Sequence, residues 1–216
     1  MEHRRDRRKP LVSAKIYAEG GGEGQLHDTL FRQAWSDFFR AAGFGGRMPR
    51  IVRGKGRTET FDKFATAVAN PRPGELPLLL VDSEDAVAAD DTVWQHLKKR
   101  DRWNRPAGAG HDQAFLMVQV METWFLSDRE LLRKYFGPQF TEAPLRAWQS
   151  LEAVPKKTVL SALERATASC VKRYSKGKVS YELLGKLNPE LVKTACPHAR
   201  DLLDRLTGIA VATALE

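Results

Sequence analysis

Cysteine is nearly absent from this sequence. Cys170 and Cys196 are the two that its 216 residues contain, too few for a disulfide framework or a cysteine-built zinc site. That scarcity fits a reducing compartment, and the sequence predicts a cytoplasmic protein. Long apolar runs are missing too: no stretch approaches the roughly 20 residues that a membrane-spanning helix needs. The charged segment Met1 to Pro10 does not lead into an apolar signal-peptide core, which argues against secretion. No GxxxxGK[ST] sequence occurs, so the chain is not a P-loop NTPase. Gly20-Gly21-Gly22-Glu23-Gly24 misses the dinucleotide fingerprint as well, and Glu23 would repel a pyrophosphate. His27, His96, His111 and His198 show no metal-ligand spacing, and no internal repeat or low-complexity tract is present.

The residues that are present have the composition of a folded domain. Hydrophobic residues make up 42% and charged residues 29%, enough apolar surface for one substantial core with at most a small appendage. Lys and Arg outnumber Asp and Glu by 35 to 27, a net charge of +8. Such an excess favours polyanionic partners, nucleic acid above all. The cations fall in three clusters. Arg4, Arg5, Arg7, Arg8 and Lys9 form a basic leader. Arg47, Arg50, Arg53, Lys55 and Arg57 are interleaved with Gly45, Gly46, Gly54 and Gly56. The third, Lys156 to Lys186, includes Lys157, Arg165, Lys172, Arg173, Lys176 and Lys178, opposed only by Glu164 and Glu182. Any one cluster also reads as a solvated loop or helix face.

Hydrophobic periodicity divides the chain into alternating elements. Leu11 to Ala18 reads as a buried strand, and the glycines after it as a flexible turn. Leu26, Leu30, Phe31, Ala34, Trp35, Phe38 and Phe39 recur at helical spacing over Gln25 to Ala42, and Gly43 stops that helix. Arg50 to Val52 predicts a short strand, Thr58 to Ala69 a second helix, Pro77 to Val81 a third strand, and Asp91 to Lys99 a third helix. Ala114 to Met121 predicts a fourth strand, ending at Glu122; beyond Ser127 the pattern is helical. The expected fold class is therefore α/β, a mostly parallel central sheet flanked by helices, with a helical C-terminal third. The expected organisation is a basic flexible leader over 1–10, an α/β core over 11–126 and a helical extension over 127–216 packed on it.

Acidic residues sit where those strands end. Glu19 closes the first strand, with Glu23 a loop later; Asp82 closes the third, with Glu84 and Asp85 just after it; Glu122 closes the fourth. In open α/β sheets ligands bind beyond the carboxyl ends of the strands. If the strands are parallel neighbours, these acids converge, and carboxylates gathered in one place repel unless a cation neutralises them. All-oxygen sites suit Mg²⁺ or Mn²⁺, and such ions serve phosphodiester cleavage. Glu19, Glu23, Asp82, Glu84, Asp85 and Glu122 are thus the candidate metal ligands. Each has a plainer reading: Glu23 as a first-turn acid on a helix dipole, Asp82 to Asp85 as a cap and solvated turn, Glu122 as an ion-pair partner.

The stretches IYAEGGGEG and LLLVDSED resemble the two signatures of a Toprim domain, the metal-binding fold shared by topoisomerases, primases and the overcoming-lysogenization-defect nucleases. In those nucleases a Glu is paired with a second Glu four residues later, and the later motif is Asp-x-Asp. Glu19 and Glu23 match the first. Asp82 and Glu84 match the second, with Glu in place of the second Asp. Over Lys15 to Leu206 the chain more closely resembles domain-of-unknown-function family 4276, a bacterial family with a Toprim-like core whose members are often encoded beside AAA or ABC ATPases in defence loci. The segments VRGKGRTETF, VQVMETWFLSD, PKK, YSKGK and ACPH carry that likeness.

The resemblance implies a metal-dependent nuclease, the effector of an ATPase-associated anti-phage system, cutting DNA or RNA, with tRNA as one form of substrate. Glu19, Glu23, Asp82, Glu84 and Lys55 are then the candidate catalytic residues. Arg53, Lys55, Arg57, Lys156, Lys157, Lys172, Arg173, Lys176 and Lys178 are candidate phosphate contacts. Tyr174 and Tyr181, set among lysines, are candidate base-stacking groups. Trp124 and Phe125 read as core, Cys170 as a helix core residue, and Cys196-Pro197-His198 as a structural turn. The competing expectation is a non-catalytic regulatory subunit binding nucleic acid or a partner. Primase or topoisomerase chemistry has less behind it, since no tyrosine-nucleophile context and no zinc module occur.

Overall fold

The computed structural model describes residues 12–21 and 25–212. Four strands form one sheet: β1 (Ser13–Glu19), β2 (Arg50–Gly54), β3 (Glu75–Asp82) and β4 (Ala114–Met117), in the order β2-β1-β3-β4. Every pairing is parallel, with Ile16 level with Ile51 and Leu78, and Asp82 level with Met117. Parallel neighbours need crossovers, supplied by α1 (Gln25–Phe39), α2 (Arg57–Ala69) and α3 (Val93–Asp101). After β4 come the helices α4 (Arg129–Phe136), α5 (Lys156–Ala166), α6 (Lys178–Leu184), α7 (Pro189–Ala195) and α8 (Pro197–Ala212), with no further strand among the described residues. The α/β class, the parallel sheet and the helical C-terminal region are as the sequence predicts. No helix among the described residues is long and apolar enough to cross a membrane.

Side chains alternate across the sheet and so build two cores. Ile16, Ala18, Leu78, Leu80, Phe115 and Met117 face α1 and the C-terminal helices; Tyr17, Leu79, Val81, Ala114, Leu116 and Val118 face α2 and α3. Leu78 to Val81 are wholly buried, as a strand covered on both faces requires, and each is worth about 2 kcal/mol of burial. On the first face Phe31, Trp35, Phe38 and Phe39 of α1 pack together, and Trp124 meets Trp35 edge-on at 5.9 Å and stacks on Phe38 at 5.6 Å. Trp124 and Phe125 are core, as expected.

Three expectations change. The fourth strand ends at Met117, not at Glu122, because its partner β3 ends opposite it at Asp82 and the chain turns instead into a 3₁₀ segment over Met121–Ser127. Leu26, counted on the apolar face of α1, is exposed in the first turn of the helix. Cys170 is buried but lies in a bend after α5, outside any helix. The turn Cys196-Pro197-His198 joins α7 to α8 and is structural: the buried Glu152 accepts the His198 backbone N–H at 3.0 Å and pairs with its Nδ1 at 2.7 Å.

The hydrogen bond to Glu152 is the chief reason the His198 pKa lies above its ordinary 6.5. A raised folded-state pKa adds stability that is fully present below the unfolded value and lost as pH rises through the folded one. His198→Ala should therefore cost about 2 kcal/mol near pH 5.5, the scale of a charged hydrogen bond, and distinctly less near pH 9. Thermal melts at the two pH values decide it, and an equal loss at both would mean the imidazole gains nothing from its proton.

Candidate functional site

The strand order reverses direction between β1 and β3: the chain steps outward from β1 to β2, then crosses back to β3 and on to β4. This switch point leaves a crevice at the carboxyl ends of β1 and β3, and Glu19 and Asp82 stand at those ends. The glycine turn after Glu19 holds it in place. The Gly20 N–H donates to Gly54 O at 3.0 Å. The buried Arg53 guanidinium donates to Gly20 O at 3.0 Å and to Gly21 O at 2.9 Å, and pairs with Asp28. A Cβ on Gly20 would meet the Phe31 ring at 2.7 Å, and one on Gly54 would meet the Thr60 backbone at the same distance. These glycines serve close packing beside the site.

The Asp82 turn is braced from three sides. Asp82 Oδ1 accepts the Met121 N–H at 2.9 Å, and its carbonyl accepts from Arg57. The Ser83 and Glu84 N–H groups donate to Met117 O at 3.0 Å and Gln119 O at 2.8 Å. The buried His96 ring donates from Nε2 to Ser83 O at 3.0 Å. Glu84 takes the left-handed conformation, φ 67°, which is uncommon outside Gly, Asn and Asp and strained for a longer side chain. Its carboxylate pairs with Lys156 and approaches Arg100 at 3.8 Å.

Glu122 is 3% exposed. Its Oε1 accepts the Tyr174 hydroxyl at 2.8 Å and the Ser180 hydroxyl at 3.2 Å, and Lys176 lies 3.9 Å from its Oε2. Burial, chiefly, pushes the Tyr174 hydroxyl far above its ordinary pKa, so it stays a donor. Glu19, Asp82, Glu84 and Glu122 line a cavity of about 490 Å³ with His27, Lys156, Lys176, Gly177, Ser180 and Tyr181.

The four acids are compensated unequally. Glu19 has Arg57 at 3.4 Å; Arg57 is itself held by both oxygens of Asp101, at 2.8 and 2.6 Å, and lies 5.1 Å from the Trp103 ring, which stacks on Phe61. Even so, burial raises the Glu19 pKa, Arg57 opposes it, and the Glu84 charge adds to the rise. Asp82 has no ion pair among the described residues. Burial first, then the charges of Glu122 and Glu19, push its carboxyl well above the usual carboxylate range.

The donor set suits a hard divalent cation: the ligands are carboxylates, and the one hydrogen bond to the Asp82 carboxylate among the described residues is the Met121 N–H. They do not form a finished cage, since no three His, Cys, Asp or Glu among the described residues are grouped tightly enough to ligate one ion. Glu23, expected as a ligand, lies outside the described residues, as does the basic leader. Asp85 is displaced from the site: its side chain is 74% exposed and pairs with Arg100 at 3.3 Å, while its neighbour Glu84 faces the cavity.

Among the expected phosphate contacts, Lys156 and Lys176 line the cavity, and Arg57 reaches Glu19 beside it. Lys55, Lys157 and Arg173 are exposed without an ion pair among the described residues. Arg53 is corrected to a structural clamp on the glycine turn, because its side chain is buried. Lys172 pairs with Glu182 over the Tyr135 ring, and Lys178 lies 3.9 Å from the same acid. Tyr174 offers no open face to a base, being buried against Glu122. Tyr181 is buried as well, its hydroxyl on Gly21 O at 3.0 Å. His27 and Ser180 have no signal in the sequence as site residues; isolated residues brought in from α1 and α6 carry no spacing pattern.

The chain belongs to the family described as Domain of unknown function (DUF4276), whose model matches residues 18–207. No curated protein and no solved structure gives a significant match to the chain.

Without a divalent ion, Asp82 is an unfavourable buried charge. A carboxyl whose folded pKa is raised binds its proton more tightly in the native state, so its cost grows as pH rises from the unfolded pKa, is complete above the folded one, and vanishes where both states are protonated. Asp82→Asn should stabilise the metal-free protein by about 1 to 3 kcal/mol near neutral pH, the scale of relieving a poorly compensated buried group. The gain should shrink as pH falls towards the ordinary value of 3.8. A loss of stability at neutral pH in the presence of chelator would contradict this electrostatic account.

Proposed function

We propose that this family member is a metal-dependent nuclease with a Toprim-like core, hydrolysing phosphodiester bonds in DNA or RNA. The observation that carries the reading is the meeting of Glu19, Asp82 and Glu122, from three separate segments, at one cavity that also receives Lys156 and Lys176. Buried like charges are unfavourable unless a cation balances them. Glu19 and Asp82, with Glu122, Glu84 or bound water completing the shell, would hold Mg²⁺ or Mn²⁺, and that ion would supply an activated water and charge stabilisation at the leaving oxygen. Lys176 and Lys156, which face Glu122 and Glu84 here, would balance a phosphate entering the same cavity once a cation neutralised those acids. The exposed Lys55, Lys157 and Arg173 are left for flanking phosphates, with structured RNA such as tRNA among the candidate substrates.

The Toprim relationship is supported by an acid at the end of β1, an Asp-x-Glu at the end of β3, and the parallel order of those strands. The same reading makes the protein a cytoplasmic effector of an anti-phage system. An ATPase of AAA or ABC type would supply the nucleotide hydrolysis for which this sequence has no P-loop. One observation favours the non-catalytic alternative: Glu84, at the second acid position, is already neutralised by Lys156 and Arg100.

Purified protein assayed with Mn²⁺ and with Mg²⁺ against plasmid, single-stranded DNA and total tRNA tests the proposal. Expected are a divalent-dependent rise in melting temperature and cleavage that both Glu19→Ala and Asp82→Ala abolish. Cutting that survives both substitutions sinks the reading; metal binding without cutting, alone or with the partner ATPase, selects the regulatory subunit.

A further inference from the structure

We infer that Tyr174 is a positioning residue of the carboxylate site, fixing the Glu122 carboxylate together with Ser180 so that one oxygen is left for the cavity. The inference rests on reading the acids as a metal site. Both structural donors converge on Oε1: Tyr174 Oη at 2.8 Å and Ser180 Oγ at 3.2 Å, with 3.3 Å between the two hydroxyls. No hydrogen bond from a described residue reaches Oε2, whose one charged neighbour within ion-pair range among the described residues is Lys176 at 3.9 Å. A carboxylate held on one side and open on the other has the orientation that a metal ligand needs. Outer partners that set such an orientation matter for affinity almost as the ligands do.

Tyr174 is in turn fixed from below. Its backbone N–H donates to Thr167 Oγ1 at 2.9 Å, and that wholly buried hydroxyl donates to Leu163 O at 2.9 Å at the end of α5. A continuous chain of hydrogen bonds therefore runs from α5 through Tyr174 to Glu122. Packing alone does not call for it, because Phe would fill the same volume without burying a hydroxyl that must then be satisfied. Sequence places Tyr174 among lysines as a base-stacking group; the structure turns it inward to the acid.

The test compares Mn²⁺ titrations of the full chain, read by melting temperature, for wild type, Tyr174→Phe, Ser180→Ala and Tyr135→Phe. Tyr135 is the control: its half-buried hydroxyl also donates to a carboxylate, Glu182, which does not line the cavity. Tyr174→Phe should need about 10- to 100-fold more Mn²⁺ for the same shift, with a lower kcat and an unchanged KM in cleavage. Ser180→Ala should move the requirement the same way by less, and Tyr135→Phe should leave it unchanged. A wild-type response that Tyr174→Phe reproduces at the same Mn²⁺ concentration overturns the inference while leaving the metal site standing. If Tyr174→Phe does not fold, an unchanged requirement in Ser180→Ala overturns it equally. A wild type blind to Mn²⁺ removes the carboxylate site and this inference with it.

Discussion

Four carboxylates share one cavity where β1 and β3 end, and their mutual repulsion is the constraint around which the neighbouring chain is organised. Three have a cation assigned from elsewhere in the fold: Arg57 for Glu19, Lys156 for Glu84, Lys176 for Glu122. Asp82, lying within reach of the charges of Glu19 and Glu122, has no ion pair among the described residues, and the charge of Lys176 offsets theirs only in part. The supporting structure is extensive for so small a feature. Asp101 and Trp103 brace Arg57, Arg53 clamps the turn after Glu19, and His96 holds the turn after Asp82 from the opposite core. Under the proposed metal-site reading, a cation entering the cavity would relieve the repulsion at the centre of this firmly held arrangement.

The helical C-terminal region belongs to this site as much as the sheet does. α5 brings Lys156 to the cavity, the segment before α6 brings Lys176 and Gly177, and α6 brings Ser180 and Tyr181. The family match over residues 18–207 spans both the sheet and these helices. The positive charge of the sequence thus divides by role: Lys156 and Lys176 balance acids of the cavity, Lys172 and Lys178 face a surface acid, and Lys55, Lys157 and Arg173 stay exposed.

Much of this is legible in the sequence, for reasons that also mark the limits. Short apolar runs closed by an acid, Ile16 to Ala18 before Glu19 and Leu78 to Val81 before Asp82, locate strand ends because a charge is costly where a strand is buried on both faces. Aromatic residues at helical spacing locate α1 because they must share the face turned to the core. Glu122 reads as an acid at a strand end, but the strand stops five residues earlier, since its end is set by the length of β3 and not by its own composition. Glu84 and Asp85 are adjacent acids that composition cannot separate; the left-handed turn at Glu84 sends one to the cavity and the other to solvent. Tyr174 and Arg53 look like surface residues of basic segments, and only tertiary packing shows them buried. His27 reaches the site through the meeting of α1 with the Gly177 turn, a long-range contact with no local signature.

If the acids at the strand ends form one divalent-cation site, crystals grown with Mn²⁺ and measured for anomalous scattering will show it directly. The expected result is a peak in the cavity about 2 Å from carboxylate oxygens of Glu19 and Asp82, with Glu122 or a bound water completing the shell. An empty cavity at saturating Mn²⁺, with Lys156 and Lys176 still on their acids, would contradict it.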